Sequence, residues 1–272
     1  SGLDAATTYY FKVFPYNGIG STINFKTDGT VPEASATTDE GPSVPQLIIS
    51  EVADQGDDYN GRFVELFNAG EIEIDFSTTT IYFDRQANGT NHSSILLTGV
   101  LRPKETYVIG NSTNINTIYG FAPDLHFGSV TGNGDDGYFL FYNGDETTGT
   151  LMDAYGVIDE DGSGKDWEYE DARAVRNSNI TSPKATWTAS EWTITSANVA
   201  DMTPGEHNGY VYFVGTGDWN TAANWSNNKV PTSTNNVIIP AANSNVEIAS
   251  DATAACNNLT IQSNATGTGS LL

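Results

Sequence analysis

Residues 47–68, LIISEVADQGDDYNGRFVELFN, decide the fold of this chain, because they read as two apolar strands joined by an acidic turn. In the second strand, the alternation of side chains places Phe63, Glu65 and Phe67 on one face. Glu51 lies near the end of the first strand. A carboxylate among apolar neighbours on a strand needs a partner or a function. The rest of the sequence is needed to decide whether these carboxylates have a structural partner or a function.

The chain from residue 47 to about residue 208 continues in the same way. Short apolar runs recur between turn signals, at residues 81–83, 93–97, 106–110, 137–144 and 151–158. Strands of this length at this interval predict an all-β sandwich. Only residues 112–119 have apolar side chains at helical spacing, so that a short helical turn is expected there.

The composition is that of a turn-rich β protein, with 38% hydrophobic and 11% aromatic residues. There are 34 acidic and 11 basic residues, which give a formal net charge of −23. A surface of this sign repels phosphate, so that a general nucleic-acid-binding surface is disfavoured, and it attracts divalent cations. Calcium is the cation expected, because carboxylate and carbonyl oxygens suit a hard ion. The single cysteine, Cys256, excludes a disulfide within the chain, and no apolar run is long enough to span a membrane.

Residues 1–40 begin in the middle of a strand pattern. The stretch GLDAATTYYFKVFPYNGIGS (2–21), followed by ASATT (34–38), resembles the last two strands of a fibronectin type III domain, with Tyr9 in the place of that family's corner tyrosine. The family's usual proline is absent. The resemblance implies that earlier strands lie upstream in a longer chain. A polar, proline-containing linker follows, and we place it at residues 41–46.

The composition and pattern of the sequence change from residue 209 onward. Two tryptophans, Trp219 and Trp225, stand among small polar residues, and apolar triplets follow at 237–239, 246–248 and 259–261. Short strands at intervals of this kind, without charged hairpin turns, predict the start of a β-helix-like repeat region over residues 209–272. We expect weak order or a partial cap at its end.

Five segments of residues 47–208 carry a more specific signal. They are LIISEVADQGDDYNGRFVELFNAG (47–70), GVLRPKETYVIGNS (99–112), NGDDGYFLFYNG (133–144), MDAYGVIDEDGSGKDW (152–167) and EWTITSANVADMTPGEH (191–207). In this order they resemble the lamin tail domain as it occurs in secreted bacterial proteins. The resemblance implies an immunoglobulin-like β-sandwich, found beside secreted hydrolases or in surface proteins and without a catalytic activity of its own. Residues 209–272 resemble segments of large surface proteins of Bacteroidetes-type bacteria.

Two acidic loops are candidates for a calcium site. Asp135 and Asp136 precede an apolar strand, and Asp159 and Asp161 lie in the densest acidic loop. The first loop lacks a glutamate at its far end. The second matches the start of a calcium loop from Asp159 and has Glu170 at the twelfth position, but Trp167 at the ninth cannot ligate through its side chain. The alternative is that these residues supply turn conformations and cap exposed backbone amides.

The remaining reactive side chains give little support to catalysis. The three histidines, His92, His126 and His207, lack the short spacing of zinc ligands, so that each is expected to be a satisfied surface or turn residue. No G-x-S-x-G motif or phosphate-binding glycine loop is present. Trp187 and Trp192 are expected in the core. Trp219 and Trp225 could stack on a ligand or be buried.

We therefore expect a non-catalytic structural or binding module of a large secreted or cell-surface bacterial protein, acting in adhesion or as a spacer, with a surface glycan or protein as partner. The alternative is the accessory region of an extracellular hydrolase, such as a nuclease, whose catalytic domain lies elsewhere. In both cases Glu51 and Glu65 are expected to be buried, and to bond loop amides or an arginine such as Arg173 or Arg176.

Overall fold

The computed structural model describes residues 8–25, 29–37, 44–241 and 245–262. Contacts divide the chain into two compact units, Ser1–Val44 and Pro45–Leu272. Nearly all regular structure in the described residues is β-strand, so that the predicted all-β class is confirmed. Parts of the predicted domains lie outside the described residues. They include residues 38–40 of the fibronectin-like region, residues 41–43 of the linker and residues 263–272 of the predicted repeat region.

The first unit holds four short strands: β1 (Thr8–Lys12), β2 (Tyr16–Asn17), β3 (Asn24–Phe25) and β4 (Glu33–Thr37). Strands β1 and β4 pair in antiparallel fashion, with Tyr9 opposite Ala36. Strands β2 and β3 form a second antiparallel pair, in which the rings of Tyr16 and Phe25 lie 5.8 Å apart.

The second unit begins with twelve strands. They are β5 (Leu47–Asp54), β6 (Phe63–Asn68), β7 (Ile74–Asp75), β8 (Ile81–Ala87), β9 (Asn91–Leu96), β10 (Val100–Leu101), β11 (Thr106–Gly110), β12 (Leu125–His126), β13 (Gly137–Tyr142), β14 (Thr150–Tyr155), β15 (Ala172–Arg176) and β16 (Trp192–Ser196). The helix α1 (Ile115–Tyr119) lies within the segment for which the sequence predicts a helical turn, and Gly120 ends it in a left-handed conformation. No helix among the described residues is long and apolar enough to cross a membrane.

These strands form an immunoglobulin-like sandwich of two main sheets. One has the order β12-β11-β6-β5-β15-β16, and the other has the order β14-β13-β8-β9. Apolar side chains from both sheets, such as Val64 and Leu66 on β6 and Phe83 on β8, meet in one core. The Phe83 ring stacks on Tyr138 of β13 at 5.7 Å. The alternation of apolar residues in the sequence is what fills this space between the sheets.

Aromatic side chains close one end of the core. The Tyr155 ring makes edge contacts with Trp167, Trp187 and Trp192, at 6.4, 5.1 and 4.8 Å. Trp192 is buried, and Trp187 is half-buried and stacks on it. The core position predicted for these two tryptophans is therefore what the structure has.

A β-bulge at Ser50 determines which residues of β5 and β6 lie opposite each other. Ile49 pairs with Leu66, and Glu51 pairs with Glu65, so that Ser50 is the extra residue. Beyond the bulge, Glu51 and Glu65 lie directly opposite each other, and the ladder there differs from a regular strand pair. Both belong to the face that points away from the sandwich core.

That outer face is not exposed to solvent. Segment 197–207 and α1 cover it, and Ala197 and Met202 pack on Phe63 and Ala53. Further along, His207 lies on Phe67, with ring centroids 4.7 Å apart. A sheet covered on both faces explains why β5 and β6 are buried along their whole length.

The remaining five strands pair in parallel. They are β17 (Tyr210–Tyr212), β18 (Gly217–Asp218), β19 (Asn236–Ile239), β20 (Val246–Glu247) and β21 (Asn258–Ile261). Strands β17, β19 and β21 form one parallel sheet, and β18 pairs with β20. We call residues 209–262 the parallel-strand segment. Parallel pairing of every second short strand, with β17, β19 and β21 in one sheet and β18 and β20 in another, is what stacked turns of a β-helix-like segment require.

The parallel-strand segment has its own core, and Trp219 and Trp225 are at its centre. Their exposed fractions are 2% and 1%, and their rings lie 4.8 Å apart. Trp225 Nε1 donates to the carbonyl oxygen of Trp219, and its ring also contacts Phe213 at 5.1 Å. Of the two alternatives that the sequence leaves open for these tryptophans, stacking on a ligand or burial, the structure has burial, and a buried ring offers no open face.

Candidate functional site

Glu51 and Glu65 form the most unusual polar site in the described residues. Their exposed fractions are 1% and 0%, and they face each other across β5 and β6. Like charges directly opposite each other on neighbouring strands are destabilising. The pair can persist only because other groups bond its oxygens.

Each of the four carboxylate oxygens accepts a hydrogen bond from this chain. Glu51 Oε1 accepts from the Thr203 N–H at 3.2 Å, and Oε2 accepts from the Thr203 hydroxyl at 2.6 Å. Glu65 Oε1 accepts from the Ser50 hydroxyl at 2.7 Å, and Oε2 accepts from the Gly205 N–H at 2.8 Å. The Arg173 Nε lies 3.2 Å from Glu51 Oε1. This is the partnered burial expected from the sequence, with Arg173 as the arginine.

The electrostatics of the pair follow from this burial. Burial raises the pKa of Glu51, although Arg173 and Thr203 oppose the shift. Burial, and then the neighbouring Glu51, raise the pKa of Glu65 well above its usual range. Glu65 is therefore the member of the pair that is harder to ionise, and Glu51 is the member that faces the arginine. We call Glu51, Glu65, Arg173 and residues 203–205 the carboxylate latch.

The carboxylate latch holds residues 203–205, which lie between the sandwich and the parallel-strand segment. Residues 203–205 are followed by Glu206, which accepts hydrogen bonds from Asn227 and Asn235 of the parallel-strand segment. The Ser226 hydroxyl donates to the Gly205 carbonyl oxygen at 2.9 Å. The latch thus joins β5 and β6 of the sandwich to the parallel-strand segment through one short connection.

A second buried network lies at the edge of the sandwich. Arg176 is 2% exposed and donates to both oxygens of Asp153, at 3.0 and 2.9 Å, and to Glu191 at 2.7 Å. Asp153 also accepts from the Ile49 N–H and the Lys184 N–H. Because Asp153 is on β14 and Arg176 is on β15, this network ties the two sheets together.

The charges of this network are balanced within the protein. Burial raises the pKa of Asp153 to about 6, although Arg176 opposes the shift. Burial acts in the same direction on Glu191, but hydrogen bonds from Lys184 and Arg176 outweigh it and lower its pKa. Burial, and then Arg176, lower the pKa of the nearby His207 to about 4, so that this imidazole is neutral at pH 7.

Stability is expected to rise as the pH falls from 7 to 5, because the buried carboxyls with raised pKa values outnumber His207, whose lowered pKa acts in the opposite direction. Burial raises the pKa of Asp54 to about 6, as it does for Asp153. A carboxyl whose pKa is higher in the folded state contributes stability that is fully present below its unfolded pKa, about 4, and is lost as the pH rises through about 6. Each proton taken up on folding adds roughly 1.4 kcal/mol per pH unit. Urea unfolding at pH 5, 6 and 7 measures this trend.

A Glu65→Gln variant serves as the control for that experiment. Glutamine keeps an acceptor for the Gly205 N–H and cannot titrate, so that the rise towards pH 5 should be shallower than in the original chain. A free energy of unfolding that falls steadily from pH 7 to pH 5 in the original chain would contradict the raised pKa values.

The four acidic residues proposed for calcium are not assembled into a cation site. Asp136 is fully buried, forms an ion pair with Arg85 at 3.0 Å, and accepts from the Asn88 and Asn133 N–H groups. Asp135 accepts from the Asn88 side chain at 3.0 Å and from the Ser163 hydroxyl at 3.2 Å. The two acidic loops do meet, through the bond between Ser163 and Asp135, and these contacts engage both oxygens of Asp136 and one oxygen of Asp135.

Asp159 and Asp161 also contribute to turns. Asp161 accepts from the Ser163 N–H at 2.9 Å, and Asp159 adopts a left-handed conformation with φ of 60°. Within residues 8–25, 29–37, 44–241 and 245–262, no group of three or more His, Cys, Asp or Glu side chains is placed to hold a metal ion. The geometry of the described residues therefore favours the capping interpretation over calcium.

One cluster has the residue types of a hydrolytic triad. His92 Nδ1 lies 2.6 Å from Asp84 Oδ2, and the Ser94 hydroxyl donates to Asp84 Oδ1 at 2.8 Å. The serine therefore bonds the aspartate and not the outer nitrogen of the histidine, so that this imidazole is not placed to activate it. His126 bonds the Asn111 carbonyl oxygen. His207 is buried rather than at the surface.

Sequence reasoning missed the partners that complete these sites. Asp153, Glu191 and Thr203 were not singled out, and Arg176 was named only as an alternative partner for the buried acids. A signal was present for Asp153, because it stands inside the apolar run 151–158 on a predicted strand. A charged residue at such a position requires a counter-charge.

A comparison with known families matches one part of the chain. The model of a family described as a domain of unknown function (DUF8693) matches residues 212–269. The match begins within β17 and includes both buried tryptophans of the parallel-strand segment, Trp219 and Trp225. No curated protein matches the chain.

Proposed function

We propose that this chain is a non-catalytic structural module of a large secreted or cell-surface bacterial protein, acting as a spacer or in adhesion. The carboxylate latch carries the proposal. Its four buried oxygens bond the chain's own segment 203–205 and Ser50, so that the least typical polar residues of the fold serve its cohesion. The resemblance of residues 47–208 to the secreted lamin tail domain supports the cellular location. The net charge of −23 suits an exposed, ion-rich setting.

A spacer has to keep its parts in a fixed geometry, and pulsed electron spin resonance tests this. On a Cys256→Ser background, spin labels at Thr90 and Ser233 report the distance between the sandwich and the parallel-strand segment. We expect one narrow distance distribution, which Glu65→Ala broadens because the Gly205 N–H loses its acceptor. A broad distribution in the original chain would overturn the spacer role.

The non-catalytic part of the proposal is tested separately. We expect no turnover of a panel of phosphodiester and glycoside substrates. Turnover that is abolished by Asp84→Asn, which changes the Asp84–His92 pair without removing an apolar group, would show that the chain is an enzyme.

A further inference from the structure

A cavity of about 210 Å³ lies between the sandwich and the parallel-strand segment. Both sides contribute to its wall. Glu105, Phe121 and Asp124 come from the sandwich, whereas Val214 and Trp225 come from the parallel-strand segment. The cavity is too small for a drug-sized ligand, but it has room for a single long side chain.

One carboxylate in this cavity has spare bonding capacity. Asp124 Oδ2 accepts from the Val108 N–H at 2.7 Å. No lysine, arginine or histidine in the described part of the chain forms an ion pair with it. The neighbouring Glu105 is already paired with Arg102, at 3.2 Å. Asp124 is exposed towards the cavity and can reach a group that enters from solvent.

The rest of the cavity wall is mixed, because the polar residues Thr106, Ser226 and Asn228 line it together with apolar ones. Among the apolar ones, Val214 is half-exposed and Phe121 is half-buried. An aliphatic stem that ends in a cation fits such a cavity, because the stem packs on apolar groups while the charge reaches the carboxylate.

The two carboxyl groups that line the cavity, those of Asp124 and Glu105, favour a cationic ligand over an anionic or a neutral one. Although the residue is exposed on one side, desolvation by the surrounding protein raises the pKa of Asp124 to about 6, the Val108 hydrogen bond opposes the shift, and the Glu105 charge adds to it. Burial also raises the pKa of Glu105, although Arg102 opposes the shift. Two carboxylates that destabilise each other gain from a neighbouring positive charge. An anion would meet both of them and the net charge of −23.

We infer that this cavity binds the lysine or arginine side chain of a partner protein, with Asp124 bonding the cationic group and Phe121 and Val214 packing on its stem. The inference stands independently of the spacer role, since a module of either kind can carry a docking site. It requires both the sandwich and the parallel-strand segment, because neither forms the cavity alone.

Titration of the full chain with blocked tripeptides tests the inference. The probes are acetyl-Gly-Lys-Gly-amide and acetyl-Gly-Arg-Gly-amide, with Glu and Leu at the centre as comparison peptides. The amide signal of Val108, which bonds Asp124, and the indole signal of Trp225 report binding by NMR. We expect saturable shifts from the basic peptides alone, with Kd of about 1–10 mM, and weaker binding below pH 6.

Two variants and one control complete the design. Asp124→Asn keeps an acceptor for the Val108 N–H and should weaken binding at least tenfold, and Ala223→Leu should block the cavity. Asp251→Asn removes one charge at an exposed site and should change Kd less than twofold. Equal shifts from the Leu or Glu peptide, the same shifts from calcium alone, or unchanged binding by Asp124→Asn would each overturn the inference.

Discussion

Arg176→Met is expected to destabilise the protein by about 3–5 kcal/mol, because it leaves Asp153 and Glu191 buried without their arginine. Arg176 is 2% exposed, and its guanidinium donates to both carboxylates. Lys184 remains beside Glu191 but has no ion pair with Asp153. The free energy of unfolding from urea titration, followed by far-UV circular dichroism, measures the effect.

Arg102→Met is the matched control for that variant. Arg102 is about one-third exposed and pairs with Glu105, three residues away. A pair of this kind contributes roughly 0–1 kcal/mol. Arg176→Lys keeps the charge but has one nitrogen in place of two, of which Nη1 bonds Asp153 and Nη2 bonds Glu191, so that its loss of stability should lie between those of the other two variants. A loss below about 1 kcal/mol for Arg176→Met would show that the buried network does not hold the sheets together.

Trp225→Ala is expected to cost about 3–5 kcal/mol, the usual range for the loss of a large buried aromatic side chain. Trp225 is 1% exposed and contacts Trp219 and Phe213. The cost arises from the cavity left in the core of the parallel-strand segment. Urea unfolding monitored by circular dichroism gives its size without relying on tryptophan fluorescence.

Val214→Ala is the control for the tryptophan variant. Val214 is half-exposed beside the same core, so that its truncation should change stability by only about 0.5 kcal/mol. A loss for Trp225→Ala that is no larger than that of Val214→Ala would contradict the burial of the indole. It would also reopen a ligand-stacking role for Trp225.

The strands of the sandwich could be predicted because alternating apolar residues determine which face is buried. Residues 63–67 show this directly, since Val64 and Leu66 fill the core. The bulge at Ser50 could not be predicted, because nothing in LIISEV distinguishes an extra residue from a regular one. The bulge nevertheless decides that Glu51 and Glu65 become neighbours.

The partners of the buried acids show a different limit. Glu51 bonds Thr203, which is 152 residues away, and Glu65 bonds the Gly205 N–H, which is 140 residues away. A pattern within one strand shows that a buried carboxylate needs a partner, but it does not show which distant loop supplies one. The same holds for Trp219 and Trp225, whose burial depends on parallel pairing of strands that lie outside the tryptophan-bearing stretch.

The acidic loops illustrate how composition can mislead. Two loops each hold a pair of aspartates, Asp135 with Asp136 and Asp159 with Asp161. A bound cation is a natural expectation for such loops in a chain of this charge. In the fold, Arg85 and several backbone N–H groups bond these aspartates instead. Spacing alone does not distinguish a capping aspartate from a metal ligand, because both need the same turn conformations.

Native-state hydrogen exchange at the Thr203 and Gly205 amides tests the carboxylate latch most directly. Both N–H groups donate to the buried acids, Thr203 to Glu51 and Gly205 to Glu65. If the latch joins the sandwich to the parallel-strand segment, these amides should exchange only with the opening of β6, at the same opening free energy as Val64. Exchange of the Thr203 and Gly205 amides within tenfold of the rate in an unstructured peptide would contradict the latch.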